Sequence, residues 1–187
     1  MAENSAVATY QLKVALERSK PPIWRRILVP SDIKLNVFHA ALQYSMGWLD
    51  CHLHQFEKDR MILGVPDDDF GLEIEDEKKF RLSDLLTEEK ETLIYEYDFG
   101  DSWRHKITLE KILPFEKSSQ LVRCIKGKKS CPPEDCGGIW RYGDLLKVIS
   151  DPSHSEYDEM IAWLGDHFNP DHFSLSETNK MLSAYVK

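Results

Sequence analysis

His52 and His54 stand two residues apart in CHLHQF. On a strand, alternate side chains share a face with Cα atoms roughly 6.5–7 Å apart, so two imidazoles placed this way can converge on one divalent cation. Catalytic zinc takes three protein ligands; a third would have to arrive from His39, His105 or an acid. Polar packing around a sheet accounts for the same spacing without a metal. A second stretch, TLIYEYDFGDSWRHKITLE, crowds Tyr97, Asp98, Asp101, Trp103 and His105 around a Gly-Asp-Ser turn. A third, CPPEDCGG, carries Glu134 and Asp135 between Cys131 and Cys136, with Cys124 upstream. Structural zinc prefers two cysteine pairs with two to four residues inside each. Cys131 and Cys136 meet that interval, and the Cys124, Cys131 and Cys136 group lacks the second pair. Glu134 and Asp135 suit helix capping, cation binding or plain solvation.

Other chemistries find less support. No G-x-S-x-G elbow is present, and Ser102 has no base nearby in sequence except His105. Neither G-x-x-x-x-G-K nor G-x-G-x-x-G occurs to cradle a phosphate. A formal net charge of −8 opposes a nucleic-acid duplex as the main partner, because such proteins neutralise phosphates with clustered Lys and Arg. Arg123, Lys126, Lys128 and Lys129 form a local basic patch, expected to be a solvated loop. No apolar run approaches the roughly 20 residues that span a bilayer, and MAENSAVATY does not read as a secretory signal. With four cysteines read as reduced thiols, the expectation is a cytoplasmic protein.

The elements that must position these residues follow from periodicity. YQLKVALE alternates, with Tyr10, Leu12, Val14 and Leu16 on one side, which predicts a half-buried strand. IWRRILV predicts a second strand, starting after Pro21 and Pro22, which cannot donate to a ladder. From Leu35 the period becomes helical through Phe38 and Leu42, and Gly47 suits a left-handed closure. CHLHQFEK reads as a strand, residues 66–79 as an acid-rich interval, and Ser83–Leu86 as one helical turn. Three helices are expected after residue 139, the last opened by the capping box S-L-S-E at Ser174–Glu177.

The hairpin register can be chosen by asking which loop keeps like faces together. A three-residue loop, Gly100–Ser102, pairs Phe99 with Trp103, Tyr97 with His105, Tyr95 with Ile107 and Leu93 with Leu109. It sets Asp98 against Arg104 and Glu96 against Lys106 on the other face, each such pair contributing about 0.2–1 kcal/mol. Gly is usual at the last loop position, where this sequence has Ser102. On this register His105 lies on the apolar face. It is expected to be either a core histidine or a titrating, ligand-binding group at a pocket edge.

The ordered segments PPIWRRILVP, FHAALQYSMGWLDCHLHQF, YEYDFGDSWRHKITLEKIL, and CPPEDCGG with RYGDLL resemble the plasmid pRi Orf-three-like family, from about Tyr10 to about Leu182. The resemblance brings no established activity. Some members carry the label transposon resolvase, which would require an N-terminal catalytic serine with an arginine cluster and a basic helix-turn-helix end. Here the C-terminal third holds Glu156, Asp158, Glu159, Asp166 and Asp171 instead. What the resemblance implies is that His52 and His54, Asp98–His105 and Cys131–Gly138 converge in space.

The expected architecture is a single α+β domain over residues 1–187, with a disordered tail at 1–8. It has a mainly antiparallel sheet, one helix after the second strand, and a C-terminal helical group (139–187) packed on it. The expected function is a non-enzymatic binding or adaptor module. Its aromatic and His-lined concavity, near Trp103 and His105, would hold a peptide, a partner protein's loop or a small ligand. The alternative is a metal-dependent hydrolase or nuclease of mobile elements using His52 and His54. No cofactor is required by the first and a divalent metal by the second. Neither involves a membrane, and nucleic acid is not the expected partner.

Overall fold

The computed structural model describes residues 7–66, 74–115, 121–165 and 168–186. Its strands are β1 (Ala8–Leu16), β2 (Trp24–Pro30), β3 (His54–Lys58), β4 (Met61–Gly64), β5 (Glu75–Asp76), β6 (Thr92–Tyr97), β7 (Trp103–Pro114) and β8 (Arg123–Lys128). All enter one sheet in the order β5-β4-β3-β6-β7-β1-β2-β8. Neighbours are antiparallel except β4 and β5. The helices are α1 (Leu35–Met46), α2 (Leu82–Leu85), α3 (Gly138–Ser150), α4 (Tyr157–Leu164) and α5 (Leu175–Tyr185). The fold class is α+β, with the helix after the second strand where the period change places it.

Alternation decides which face of the sheet is the core. Tyr10, Leu12, Val14 and Leu16 of β1, Ile107 and Leu109 of β7, and Leu93, Tyr95 and Tyr97 of β6 are all buried in one cluster to which α1 contributes Leu35, Phe38, Ala41 and Leu42. Burying each large apolar side chain contributes about 1.5–3 kcal/mol, so the middle strands anchor the fold. The opposite face carries ion pairs: Arg26 grips Glu110 with two bonds of 2.6 and 2.8 Å, and Arg104 reaches Glu57 at 2.7 Å and Glu96 at 3.1 Å. Helix α5 closes the far edge, where Asn179 exchanges bonds of 2.9 and 2.8 Å with the backbone of Cys124.

Four expectations need correction. The hairpin pairs Tyr97 with Trp103, Tyr95 with His105 and Leu93 with Ile107, so the loop has five residues, 98–102, and the register is displaced by two. Asp98 explains the displacement. Its Oδ1 accepts the N–H groups of Gly100 and Asp101 at 2.9 and 3.3 Å, and its carbonyl accepts that of Ser102 at 2.6 Å. The loop satisfies its own backbone, which releases Phe99 to solvent and puts Glu96, not Asp98, opposite Arg104. A two-residue slip preserves parity, so Tyr97, Trp103 and His105 still face inward together. Ser102 occupies the left-handed conformation (φ 53°) that a Gly would usually fill.

The second correction is at the far edge. Of the basic patch expected as a loop, Arg123, Lys126 and Lys128 lie on strand β8, which pairs with β2, and only Lys129 follows it. Edge strands are commonly studded with Lys to discourage further pairing, and that hides their apolar period. Third, the strand expected from Cys51 begins only at His54, with His52 in the bend before it. Finally, β1 starts at Ala8, inside the expected tail, while residues 1–6 and 67–73 of the acid-rich interval lie outside the described residues.

Candidate functional site

Three chain segments meet at one end of the sheet: the bend entering β3, the β6–β7 loop, and the turn before α3. Trp48 fastens the third to the end of α1 by donating its indole N–H to the carbonyl of Pro132 at 3.1 Å. Asp101 fastens it to the hairpin, its Oδ2 accepting the N–H of Gly137 at 3.0 Å. The approach is close: a Cβ on Gly138 would lie 2.6 Å from the carbonyl oxygen of Asp101. Gly138 also holds φ at 80°, so glycine is required there on two counts.

At this junction the Nε2 of His52 faces three carboxylates: Asp135 Oδ1 at 3.2 Å, Asp98 Oδ2 at 3.8 Å and Glu134 Oε2 at 3.9 Å. None of these contacts is a hydrogen bond. His52 Nε2 and Glu134 Oε2 are both inaccessible to solvent and both without a hydrogen-bond partner. Buried polar atoms are overwhelmingly paired in folded proteins, so two orphans in one spot are a local anomaly. The rest of Glu134 is fixed, since Oε1 accepts the N–H of Leu49 at 3.0 Å and the hydroxyl of Tyr97 at 3.1 Å. Tyr97 in turn accepts the N–H of Cys51 at 3.1 Å, with the Cys51 thiol 3.6 Å away. Burial and the neighbouring Cys51 push the Tyr97 phenol upward, so it stays a neutral donor. Asp98 and Asp135 both sit at positive φ, 57° and 55°, a conformation that Asp tolerates better than most residues.

His54 goes elsewhere. Its Nε2 bonds Glu77 at 2.8 Å, and its ring stacks on His39 with centroids 3.5 Å apart. Gln43 donates to the Tyr95 hydroxyl at 2.9 Å, so that hydroxyl donates to His39 Nδ1 at 2.8 Å, and His39 Nε2 donates to Asp50 at 2.8 Å. Burial and the adjacent His54 hold the His39 imidazole below its ordinary range. Every polar atom named in this network is engaged, and the two imidazoles that the spacing would allow to share a cation do not converge.

His105 resolves as a core histidine. It has no exposed surface, approaches the Tyr95 carbonyl through Nδ1 at 3.3 Å, and meets Trp48 edge-on at 5.0 Å. Burial lowers its pKa from 6.5 to about 4. The expected pocket edge at Trp103 and His105 is therefore displaced: Trp103 is also fully buried, although it backs a cleft of about 290 Å³ beside Asp101 and Gly138. Of the expected site residues, His52, Tyr97, Asp98, Glu134 and Asp135 gather, Asp101 braces them, and His54, Trp103 and His105 belong to the interior. Among the described residues, two sets of metal-donor side chains have ligand atoms within 4.8 Å of one another, Cys51–His52–Glu134 and His52–Asp98–Asp135. The Cys124, Cys131 and Cys136 group forms no such set. Its thiols are raised by burial, Cys136 to about 12.

Sequence reasoning missed Cys51 and Arg25. Cys51 lay outside every spacing rule applied to the other cysteines. Arg25 occupies an inward position of β2, and its buried guanidinium bonds the carbonyls of Ser45 and Met46 at the end of α1. Its phase with Ile27 and Val29 was the available signal. Arg25 favours that helix end because the backbone dipoles leave it partly negative.

Residues 8–177 match the family described as Plasmid pRiA4b ORF-3-like protein. The chain belongs to this family. Among relatives, it is 33% identical over 156 residues to the uncharacterized protein y4hQ of Sinorhizobium fredii (strain NBRC 101917 / NGR234), covering 83% of this chain and 80% of that one. The fold resembles the crystal structure of a protein of unknown function, MM3350 of Methanosarcina mazei Go1. That match has a TM-score of 0.82 and 38% identity and spans 92% of this chain and 98% of that one. Membership in the pRiA4b ORF-3-like family and the likeness to a solved structure of unknown function leave the chemistry to be argued from the site.

Proposed function

We propose that this protein is a binding module whose occupant, an extended peptide or a partner's loop, lies between α3 and α4 and ends at the His52 cluster. The observation behind this reading is that Asp135 belongs to both features. It faces His52 on one side and on the other lines a groove of about 560 Å³ whose walls are apolar at Leu145, Val148, Met160 and Trp163 and charged at Arg141, Asp144, Glu156 and Glu159. A concavity that joins apolar walls to convergent polar groups has the usual character of a ligand site. Trp163 is half exposed, whereas Met160 and Leu164 of the same helix pack partly against the core, so Trp163 is the position of this wall to alter. This reading moves the concavity away from Trp103 and His105 and keeps the peptide and the partner's loop among the three kinds of occupant expected there. No helix of the described residues is long and apolar enough to cross a membrane, and the four free thiols suit a cytoplasmic setting.

Panning a random peptide library on the intact protein tests the reading. Selected peptides should bind Trp163→Ala roughly tenfold or more weakly, the usual loss of an aromatic anchor, while thermal stability is unchanged. Failure to enrich any sequence, or equal binding to Trp163→Ala and Met160→Asp, overturns it.

A further inference from the structure

His52, Asp98 and Asp135 come from three different loops, yet their ligand atoms lie within 4.8 Å of one another. The spacing is informative. An imidazole and a carboxylate free to bond each other close to hydrogen-bond length, as His54 and Glu77 do at 2.8 Å. His52 Nε2 stands off at 3.2 Å from Asp135 and 3.8 Å from Asp98, bonded to neither. Zinc holds nitrogen and oxygen at about 2.0–2.2 Å in tetrahedral array, which separates neighbouring donors by about 3.3–3.6 Å. The observed gaps bracket that separation.

The surroundings are prepared in the same way. Asp98 is buried and uses Oδ1 for its own loop, so Oδ2 alone is turned toward His52. Glu134 is pinned through Oε1 by Leu49 and Tyr97 while its Oε2 is left unpaired.

We propose that His52 Nε2, Asp98 Oδ2 and Asp135 Oδ1 bind a single divalent transition ion of the zinc class. One nitrogen and two oxygens suit a borderline cation better than calcium or magnesium. Three protein donors leave a coordination position for water or for a donor brought by an occupant. Because Asp135 also lines the α3–α4 groove, the ion sits at the groove's polar end. The inference thus rests on the placement of the binding site given above and adds the cofactor to it.

Zinc alone is the probe. Metal-stripped full-length protein, titrated with Zn²⁺ in a calorimeter, should take up one equivalent and melt at a higher temperature when loaded. Asp135→Asn, at an exposed position, should fold normally and bind at least 10–100-fold more weakly, the loss that even an outer-shell partner brings. His52→Gln should weaken binding by at least as much, and Cys51→Ser should leave it unchanged. If Cys51→Ser abolishes binding and Asp135→Asn does not, the ion belongs to the Cys51–His52–Glu134 set and the assignment is overturned. It is equally overturned if the wild-type protein takes up no stoichiometric zinc. Peptide capture that persists in chelator without zinc uptake would sink the metal and leave the groove standing, whereas zinc uptake without peptide capture would do the reverse.

Discussion

His52 and His54 are separated by one residue, yet they live in opposite environments. His54 ends in a closed network in which Glu77, His39, Tyr95, Gln43 and Asp50 satisfy one another. His52 ends in an open one, where three carboxylates surround a nitrogen that bonds none of them. The first region spends its polar groups on holding α1, β3 and the segment at Glu77 together. In the second, donors are held in place from behind while their front atoms stay unpaired. Between these two histidines the difference lies in the completeness of hydrogen bonding and in the facing carboxylates; His105 Nε2 in the core is also unpaired but faces no carboxylate cluster among the described residues.

That contrast can be broken most directly at Glu77. Removing one partner of a buried pair leaves the other unsatisfied, at a cost of about 3–5 kcal/mol. Glu77→Ala should therefore lower the urea midpoint sharply, and a loss below about 1 kcal/mol would show that the closed network is not structural. Acid provides the next largest effect. With its pKa lowered to about 4 from 6.5, His105 stays neutral in the folded protein while the unfolded chain takes up a proton. Stability should be fully present above pH 6.5 and fall as pH drops through 4, by about 3 kcal/mol from this group alone. His39, lowered in the same direction, steepens the decline. In urea titrations across this range, His105→Leu should flatten the slope, and an unchanged slope would remove His105 as its source.

Smaller effects belong to the open region. Tyr97→Phe deletes the bonds to Glu134 and Cys51 and should cost about 1–2 kcal/mol, read from chemical denaturation. Asp135→Ala should change stability by less than about 0.5 kcal/mol, because its carboxylate is largely exposed. A larger loss would mean that Asp135 is a structural brace and would erase the distinction between the two histidines.

How far the sequence could be read follows the same physics. Burial and alternation are local, so β1, β2, α1 and the inward face of the hairpin were legible, as was the Ser174 cap, whose Oγ accepts the Glu177 N–H at 3.2 Å. Register was not, because Asp98 builds a loop from its own carboxylate and no facing rule detects that. β8 was illegible because a Lys-bearing edge strand has no apolar period. At the site, types and approximate neighbourhood could be named, but the division between His52 and His54 depends on where β3 starts. Glu77, 23 residues further along the chain, decides the fate of His54, and no spacing rule reaches so far.

The contact of Gly138 with the carbonyl of Asp101 has a consequence for evolution and design alike. It works as a caliper stop: the hairpin tip carrying Asp98 and the turn carrying Asp135 come together until backbone meets backbone. A methyl group at position 138 would jam that stop open and widen the gap between the two aspartates without altering either one. The aperture, and with it the size of whatever fits there, is thus set by a side chain that is absent.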